Sequence, residues 1–337
     1  MKTKNRLYMS AGISIILVLI GISVGGCKEQ PVKPEEIEKV TLGIRPGVMG
    51  SVVWVADAKG FFKEEGLDVT LKEYSSGKGA LIGMFNNEVE IGTAAEAPLT
   101  FNSFERQDYL IFCSIGYSDK SMKIIARKDR GINSATDLEG KKIAVHKSSA
   151  SHFFLSVFLM ENLIPESKVN IVYMKSENLV PSIINGEIDA FSWRDPGTQY
   201  AKDALGDNAV EFSTPGLYRK TFDVIAMKDF IKNRPETIKM ILRALLKAEK
   251  FIQEEPAEAI AIIARISKVE KEEIATIWDD FDLRVSLDQY LIVTMEAEAR
   301  WVIKNNLTDK TEVPNYLDYI YMDALEEVKP EAVGIIR

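Results

Sequence analysis

Apolar residues in this chain of 337 follow two rhythms. Short unbroken apolar runs read as buried strands, and apolar positions repeating every three to four residues read as helices. From Val40 the run VTLGI is a strand, RPGVMG (45–50) is a loop, and residues 51–65 form a helix with Val52, Val55, Ala56, Phe61 and Phe62 on one face, stopped by Gly66. A strand at 68–74, a helix at 79–86 and a strand at 90–94 complete a βαβαβ unit, whose parallel strands require crossover helices.

The same order returns in KKIAVHKSSASHFFLSVFLMENL (141–163): a strand at Ile143, Ala144 and Val145, a serine-rich turn, and a helix with Phe154, Leu155, Phe158, Leu159 and Leu163 at helical spacing. A strand at 169–174, a helix at 178–185 and a strand at 188–192 follow. FNNEVEIGT (85–93) is echoed by INGEIDAFS (184–192), pairing Asn86 with Asn185, Glu88 with Glu187 and Glu90 with Asp189. Two lobes of one architecture would produce this, and so would a shared turn solution reached independently. From residue 228 the strands stop. Pro235 and Pro256 open amphipathic helices, and 271–279, 287–305 and 316–327 read as further ones. The fold class expected is α/β: two lobes, each a mainly parallel sheet flanked by helices. The first comprises 40–120 and 219–337, with the C-terminal helices packed on it, and the second 121–218. The chain would cross between them at 117–123 and 214–221. Ligands of such sheets gather beyond the carboxyl ends of the strands, which places the loops at 45–50 and 146–151 across one cleft.

Composition narrows the function. The net charge of −8 and the absence of a basic run exclude a nucleic-acid surface. The two cysteines, Cys27 and Cys113, form neither a zinc site nor a disulfide framework, and Cys113 in YLIFCSIG reads as a buried free thiol. Lys2, Lys4 and Arg6, the apolar stretch 11–20 and the small residues Val24-Gly25-Gly26 before Cys27 resemble a bacterial lipoprotein signal. Cys27 would then be lipidated, unless the segment is kept as an uncleaved anchor, and 28–39 would be a tether. Either reading puts the protein outside the cytoplasm, attached to the membrane.

Candidate chemistry centres on the serine turn. Ser148, Ser149 and Ser151 stand at a helix start, where hydroxyls and unpaired N–H groups can hold an anion or can simply cap the helix. Arg194 offers a planar fork for an oxyanion, or a partner for Asp195 or Glu96. Trp193 and Trp54 are cleft walls or core aromatics. Glu96 as an acceptor favours a ring N–H or an amine. His152 reads as a packed structural residue.

ADAKGFFKEEGLDV (56–69), GTAAEAP (92–98), ARKDRGINSATDLEGKKIAV (126–145), KSSASHFFL (147–155) and GEIDAFSWRDP (186–196) together resemble the solute-binding proteins of ABC importers in the sulfonate, taurine, nitrate and thiamine-precursor group, which have a type II periplasmic-binding fold. The resemblance implies ligand contacts from the first-strand loop with Gly47 and Met49, from the turn with Glu96 and Ala97, from the serine turn, and from the segment at Asp195. It also implies an ABC permease with its ATPase as partners, and no cofactor, metal or catalytic residue. The chain departs from the family at the serine turn, at Arg194, where an aromatic is common, and at Gly197, where an aromatic often follows the proline. A small organic anion such as a sulfonate is the ligand expected first. A heterocyclic vitamin precursor, or an enzyme of the same fold resembling the pyrimidine-synthesis branch, is the alternative.

Overall fold

A computed structural model describes residues 37–337; the leader, Cys27 and most of the expected tether lie outside them. The first lobe begins with β1 (Glu38–Ile44), α1 (Ser51–Ala58), α2 (Phe61–Glu64), β2 (Leu67–Glu73), α3 (Gly77–Phe85), β3 (Ile91–Ala94), α4 (Glu96–Ser103) and β4 (Tyr109–Ser118). The chain then enters a second sheet with β5 (Met122–Arg127), β6 (Lys142–Val145), α5 (Ala150–Glu161), β7 (Asn170–Tyr173), α6 (Ser176–Ile184), β8 (Ala190–Arg194), α7 (Gly197–Leu205) and β9 (Ala209–Phe212). It returns to the first with β10 (Lys220–Met227) and closes with α8 (Lys228–Asn233), α9 (Pro235–Glu254), α10 (Pro256–Ser267), α11 (Lys271–Trp278), α12 (Gln289–Lys304) and α13 (Asp323–Val328).

The strand orders are β2-β1-β3-β10-β4 and β7-β6-β8-β5-β9. In each sheet three parallel strands are followed by an antiparallel one, β10 in the first and β5 in the second. The echo therefore has a structural counterpart. Helix α3 leads into left-handed Asn87 (φ 58°), and α6 into left-handed Gly186 (φ 75°). The carboxylate three residues on then clasps the neighbouring strand. Thr41 N–H donates to Glu90 at 2.9 Å while Glu90 N–H donates to Thr41 O at 3.0 Å. Lys142 N–H donates to Asp189 at 2.9 Å, and Asp189 N–H donates to Lys142 O at 2.9 Å. A turn solution alone does not require that reciprocal pair.

Several expected elements are corrected. The helix expected at 51–65 breaks where Gly60 turns left-handed (φ 76°), giving α1 and α2. The helix expected at 316–327 is a 3-10 turn, Tyr316–Tyr319, followed by α13. It is interrupted because Ile320 bridges Ile111 and Tyr321 N–H donates to Ile111 O at 2.8 Å. Strands β4 and β10 have almost no exposed residue, so neither shows the alternation that marks a half-buried strand. They carry the antiparallel part of the sheet, which sequence reasoning left out.

The C-terminal helices cover the first lobe. Ile238, Leu242 and Leu245 of α9 share one core with Val52 and Val55 of α1. The segment after α11 runs along β4, with Asp282 and Tyr117 exchanging N–H···O bonds of 2.9 Å and Ser286 pairing with Ser114, which covers that sheet edge. The second lobe has a core on each face of its sheet, one under α5 and one under α6 and α7. Cys113 is buried and free.

The first-strand loop rests on β4 so closely that a Cβ on Gly116 would stand 2.6 Å from Met49 O. Gly116→Ala is expected to cost roughly 1–3 kcal/mol of stability, as overpacking does. Chemical denaturation checks this: an unchanged midpoint would mean that the loop yields freely.

Candidate functional site

The carboxyl ends of the parallel strands meet at a cavity of about 70 Å³ between the two sheets, lined by Arg45, Ser76, Gly77, Lys78, Ala95, Pro98, Met122, Ser149, Ala150, Ser151, Trp193, Arg194, Lys220 and Phe222. At ~10–15 Å³ per water-sized position it admits roughly five such groups, the scale of a small polyatomic solute. A wider hollow of about 570 Å³ at Ser103, Phe104, Gln107 and 309–315 is lined by exposed charges of mixed sign, Asp309, Lys310 and Glu312, so no convergent chemistry builds it.

The serine turn sits at this cavity, but not as a cap. Ser148 takes a left-handed conformation (φ 56°), which turns the chain from β6 into α5, and it does not line the cavity. Ser149 occupies the N-cap position without making a cap bond. Its hydroxyl donates to His146 O at 2.7 Å and lies 3.0 Å from that of Ser151. His152 and Phe153 N–H donate back to Ser149 O at 3.0 and 3.2 Å, which leaves the N–H groups of Ala150 and Ser151, with no side-chain cap, as donors beside the Ser149 and Ser151 hydroxyls. Ser151 is held in place by Ser192, whose hydroxyl donates to Ser151 O at 2.9 Å.

Four cations share the cavity. Arg45 follows the end of β1, Lys78 lies in the first turn of α3, Arg194 ends β8 and Lys220 opens β10. Among the described residues none of them forms an ion pair, and each is pulled below its usual pKa, chiefly by burial. For Arg194 the charge of Arg45 adds to this effect. Lys220, only 5% exposed, is brought to about 7 by burial, then by Arg194 and Arg45, with Glu96 opposing. Two like charges ~6 Å apart at an effective dielectric of ~20 repel by roughly 3 kcal/mol. Among the described residues, nothing neutralises the positive charge that lines the cavity.

The loops are shaped to present these groups. Gly47 (φ 133°) lets Arg45 fold back, because a Cβ there would stand 3.0 Å from the guanidinium. Trp54 Nε1–H donates to Arg45 O at 3.3 Å. The Arg194 guanidinium lies 4.3 Å from the Trp193 ring centroid. A Cβ on Gly197 would stand 2.9 Å from the Trp193 ring, so glycine leaves that ring its place.

Of the residues singled out from sequence, Ser149, Ser151, Trp193 and Arg194 line the cavity, whereas Gly47, Met49, Trp54, Glu96, Ala97, Ser148 and Asp195 do not. Met49 and Ala97 are core residues, and Trp54 and Gly47 support Arg45. Arg194 pairs with neither proposed carboxylate. Asp195 accepts from Lys123 at 2.7 Å and from the Thr198 hydroxyl. Glu96 is fully buried outside the cavity lining; its Oε2 accepts from Thr221 N–H at 2.8 Å, while its Oε1 has no hydrogen-bond partner among the described residues. Beside it, Asp223 accepts from Ser114 at 2.6 Å and Glu298 from Thr100 at 2.7 Å. Burial, followed by mutual repulsion, pushes Asp223 to about 8 and Glu298 upward, and burial takes Glu96 to about 7. His152 packs at 4.8 Å against Trp301 of α12, a structural contact. Sequence reasoning missed Arg45, Lys78 and Lys220. The strand-end rule that located the first-strand loop could have flagged Arg45, but nothing local marks Lys220.

Across 94% of its length the chain is 23% identical to a Bacillus subtilis (strain 168) protein provisionally named an aliphatic sulfonates-binding protein, covering 96% of that relative. It is 26% identical to the taurine-binding periplasmic protein of Escherichia coli (strain K12), over 62% of this chain and 67% of that one. In fold it is similar to the alkanesulfonate-binding protein SsuA from Xanthomonas axonopodis pv. citri bound to MOPS, with a TM-score of 0.72, 17% identity, and coverage of 85% and 99% of the two chains. The model of the family described as NMT1/THI5 like matches residues 50–259, more than half the chain, and the protein belongs to that family.

Proposed function

We propose that this chain is the extracytoplasmic solute-binding component of an ABC importer, holding a small organic oxyanion of the sulfonate class in the cavity between its sheets and passing it to a permease. One observation carries the reading: four cations and an uncapped helix start line one cavity, and among the described residues no carboxylate pairs with them. An oxyanion supplies the missing partner, accepting from the α5 start, from Ser149 or Ser151 and from the fork of Arg194. An apolar remainder fits against Met122, Pro98 and Phe222. The two named relatives bind sulfonates and taurine by their names, which supports the class. The heterocycle alternative depended on Glu96 as a ligand acceptor, and Glu96 does not line the cavity. Binding rather than turnover is supported by Cys113, whose thiol is buried and held protonated by burial, unsuited to nucleophilic attack. Lipidation at Cys27 belongs to the same proposal, through the pattern of the leader.

Four outcomes are expected. In a thermal-shift screen, a short-chain sulfonate at ~100 times its Kd should stabilise the protein by about 2.7 kcal/mol, roughly 4 °C in Tm. Arg194→Ala should weaken that ligand by about 1.5–3 kcal/mol in calorimetry, the range for a charge-assisted bond. A variant that binds as well as the parent would remove Arg194 from the site.

Anion affinity should also fall as pH rises. Lys220 loses its proton near 7, and Glu96 loses its own over the same interval, adding negative charge behind the cavity. Both changes weaken anion binding, so affinity is highest below that interval and drops by roughly tenfold between about pH 6 and 8.5. A flat calorimetric profile would take Lys220 out of the binding step. Intact-mass analysis of the membrane fraction should show a chain beginning at a lipidated Cys27, and one retaining Met1 would refute the lipid anchor.

A further inference from the structure

The positive charge in the cavity comes from two opposing walls. The second lobe presents the uncapped start of α5 with Arg194 beside it. The first presents Arg45, Lys220 and the start of α3, where Gly77 and Lys78 line the cavity and Ser76 caps only Gly79 N–H, at 3.0 Å. Two helix starts therefore face one space, each with its own cations. Lys220 adds a second, independent sign of a ligand: its ammonium belongs to a side chain 95% buried, lines the cavity and has no hydrogen-bond partner among the described residues.

The carboxyls behind the first wall do not neutralise it. Glu96, Asp223 and Glu298 crowd together, and the Thr221 hydroxyl, 3.0 Å from Glu96 and 2.8 Å from Asp223, has one proton to give. Below about pH 7, burial and mutual repulsion keep protons on these groups. Lys220 is opposed more strongly by Arg194 and by Arg45 than it is supported by Glu96. A monoanion on the second wall would leave the three cations of the first unmatched in a closing, poorly solvated space, which is costly for buried charge.

We infer that the ligand carries two negative charges, one for each wall: a short-chain sulfonate bearing a second anionic group, bound with one group at the α5 start and Arg194 and the other among Arg45, Lys78 and Lys220. This rests on the oxyanion reading above and specifies its substrate class. The same pair of charges also gives the ligand a hold on both lobes at once.

Calorimetry on the full-length chain tests it with two matched pairs, ethanesulfonate against sulfoacetate and methanesulfonate against sulfate. Sulfoacetate is expected to bind at least about tenfold more tightly than ethanesulfonate, since each added charge-assisted contact contributes on that scale. Lys220→Gln should weaken sulfoacetate severalfold more than it weakens ethanesulfonate and so shrink that advantage, whereas a purely structural role for Lys220 would weaken both equally. Lys78→Gln, at the half-exposed α3 start, provides the same readout should the buried variant fail to fold. If ethanesulfonate equals or exceeds sulfoacetate, the two-charge inference is overturned and the oxyanion reading stands. If sulfate outbinds methanesulfonate while sulfoacetate gains nothing over ethanesulfonate, the charges belong on one head and the two-wall assignment fails. Binding by none of the four defeats both readings.

Discussion

Positive charge drawn into the seam between two sheets is the constraint to which the surrounding structure answers. Arg45, Lys78, Arg194 and Lys220 lose hydration there and repel one another, so each must be held against a tendency to swing out to water. The holding is done by packing rather than by ion pairs. Trp54 ties down the Arg45 carbonyl, Gly47 leaves space for its guanidinium, and Trp193 gives Arg194 an aromatic face that Gly197 leaves room for. Lys220 has the stiffest mounting, at the start of a strand hydrogen-bonded to β4 and running between β3 and β4.

Behind this wall the buried carboxyls connect the cavity to the C-terminal helices. Thr221 links Glu96 to Asp223, and Glu298 enters from α12 through Thr100 and Tyr218. The same helix carries Trp301, which packs on Phe101 of the first lobe and on His152 and Phe153 of the second. One helix thus touches both the polar network beneath the cavity and the aromatic contact that joins the lobes. Burial depresses His152 to about 4, so it stays neutral within that contact near neutral pH.

The repeated clasp explains how one chain builds two facing walls. Glu90 and Asp189 each fasten the third parallel strand of a sheet to the first, and each follows a left-handed residue after the preceding helix. The two sheets share a strand order, and each borrows its antiparallel fourth strand from a crossing between lobes. Strand ends that bear the site therefore point into the space that the crossings enclose.

Periodicity and turn chemistry are local, and they were legible in the sequence: the parallel strands and their helices, the echo of 85–93 in 184–192, the serine turn, and Trp193 with Arg194 at a strand end. Strands β4 and β10 were not, because burial on both faces removes alternation. Nor could the sequence show that the Ser149 hydroxyl turns to the His146 carbonyl instead of capping its helix, or that Asp195 takes Lys123 rather than Arg194. Residues 45, 78, 194 and 220 come from four separate elements, and no spacing rule relates them. Local sequence set the elements and the kinds of group at their ends. Only the tertiary fold decided which of those ends share one cavity and leave their charges unpaired, because burial and mutual repulsion depend on neighbours in space.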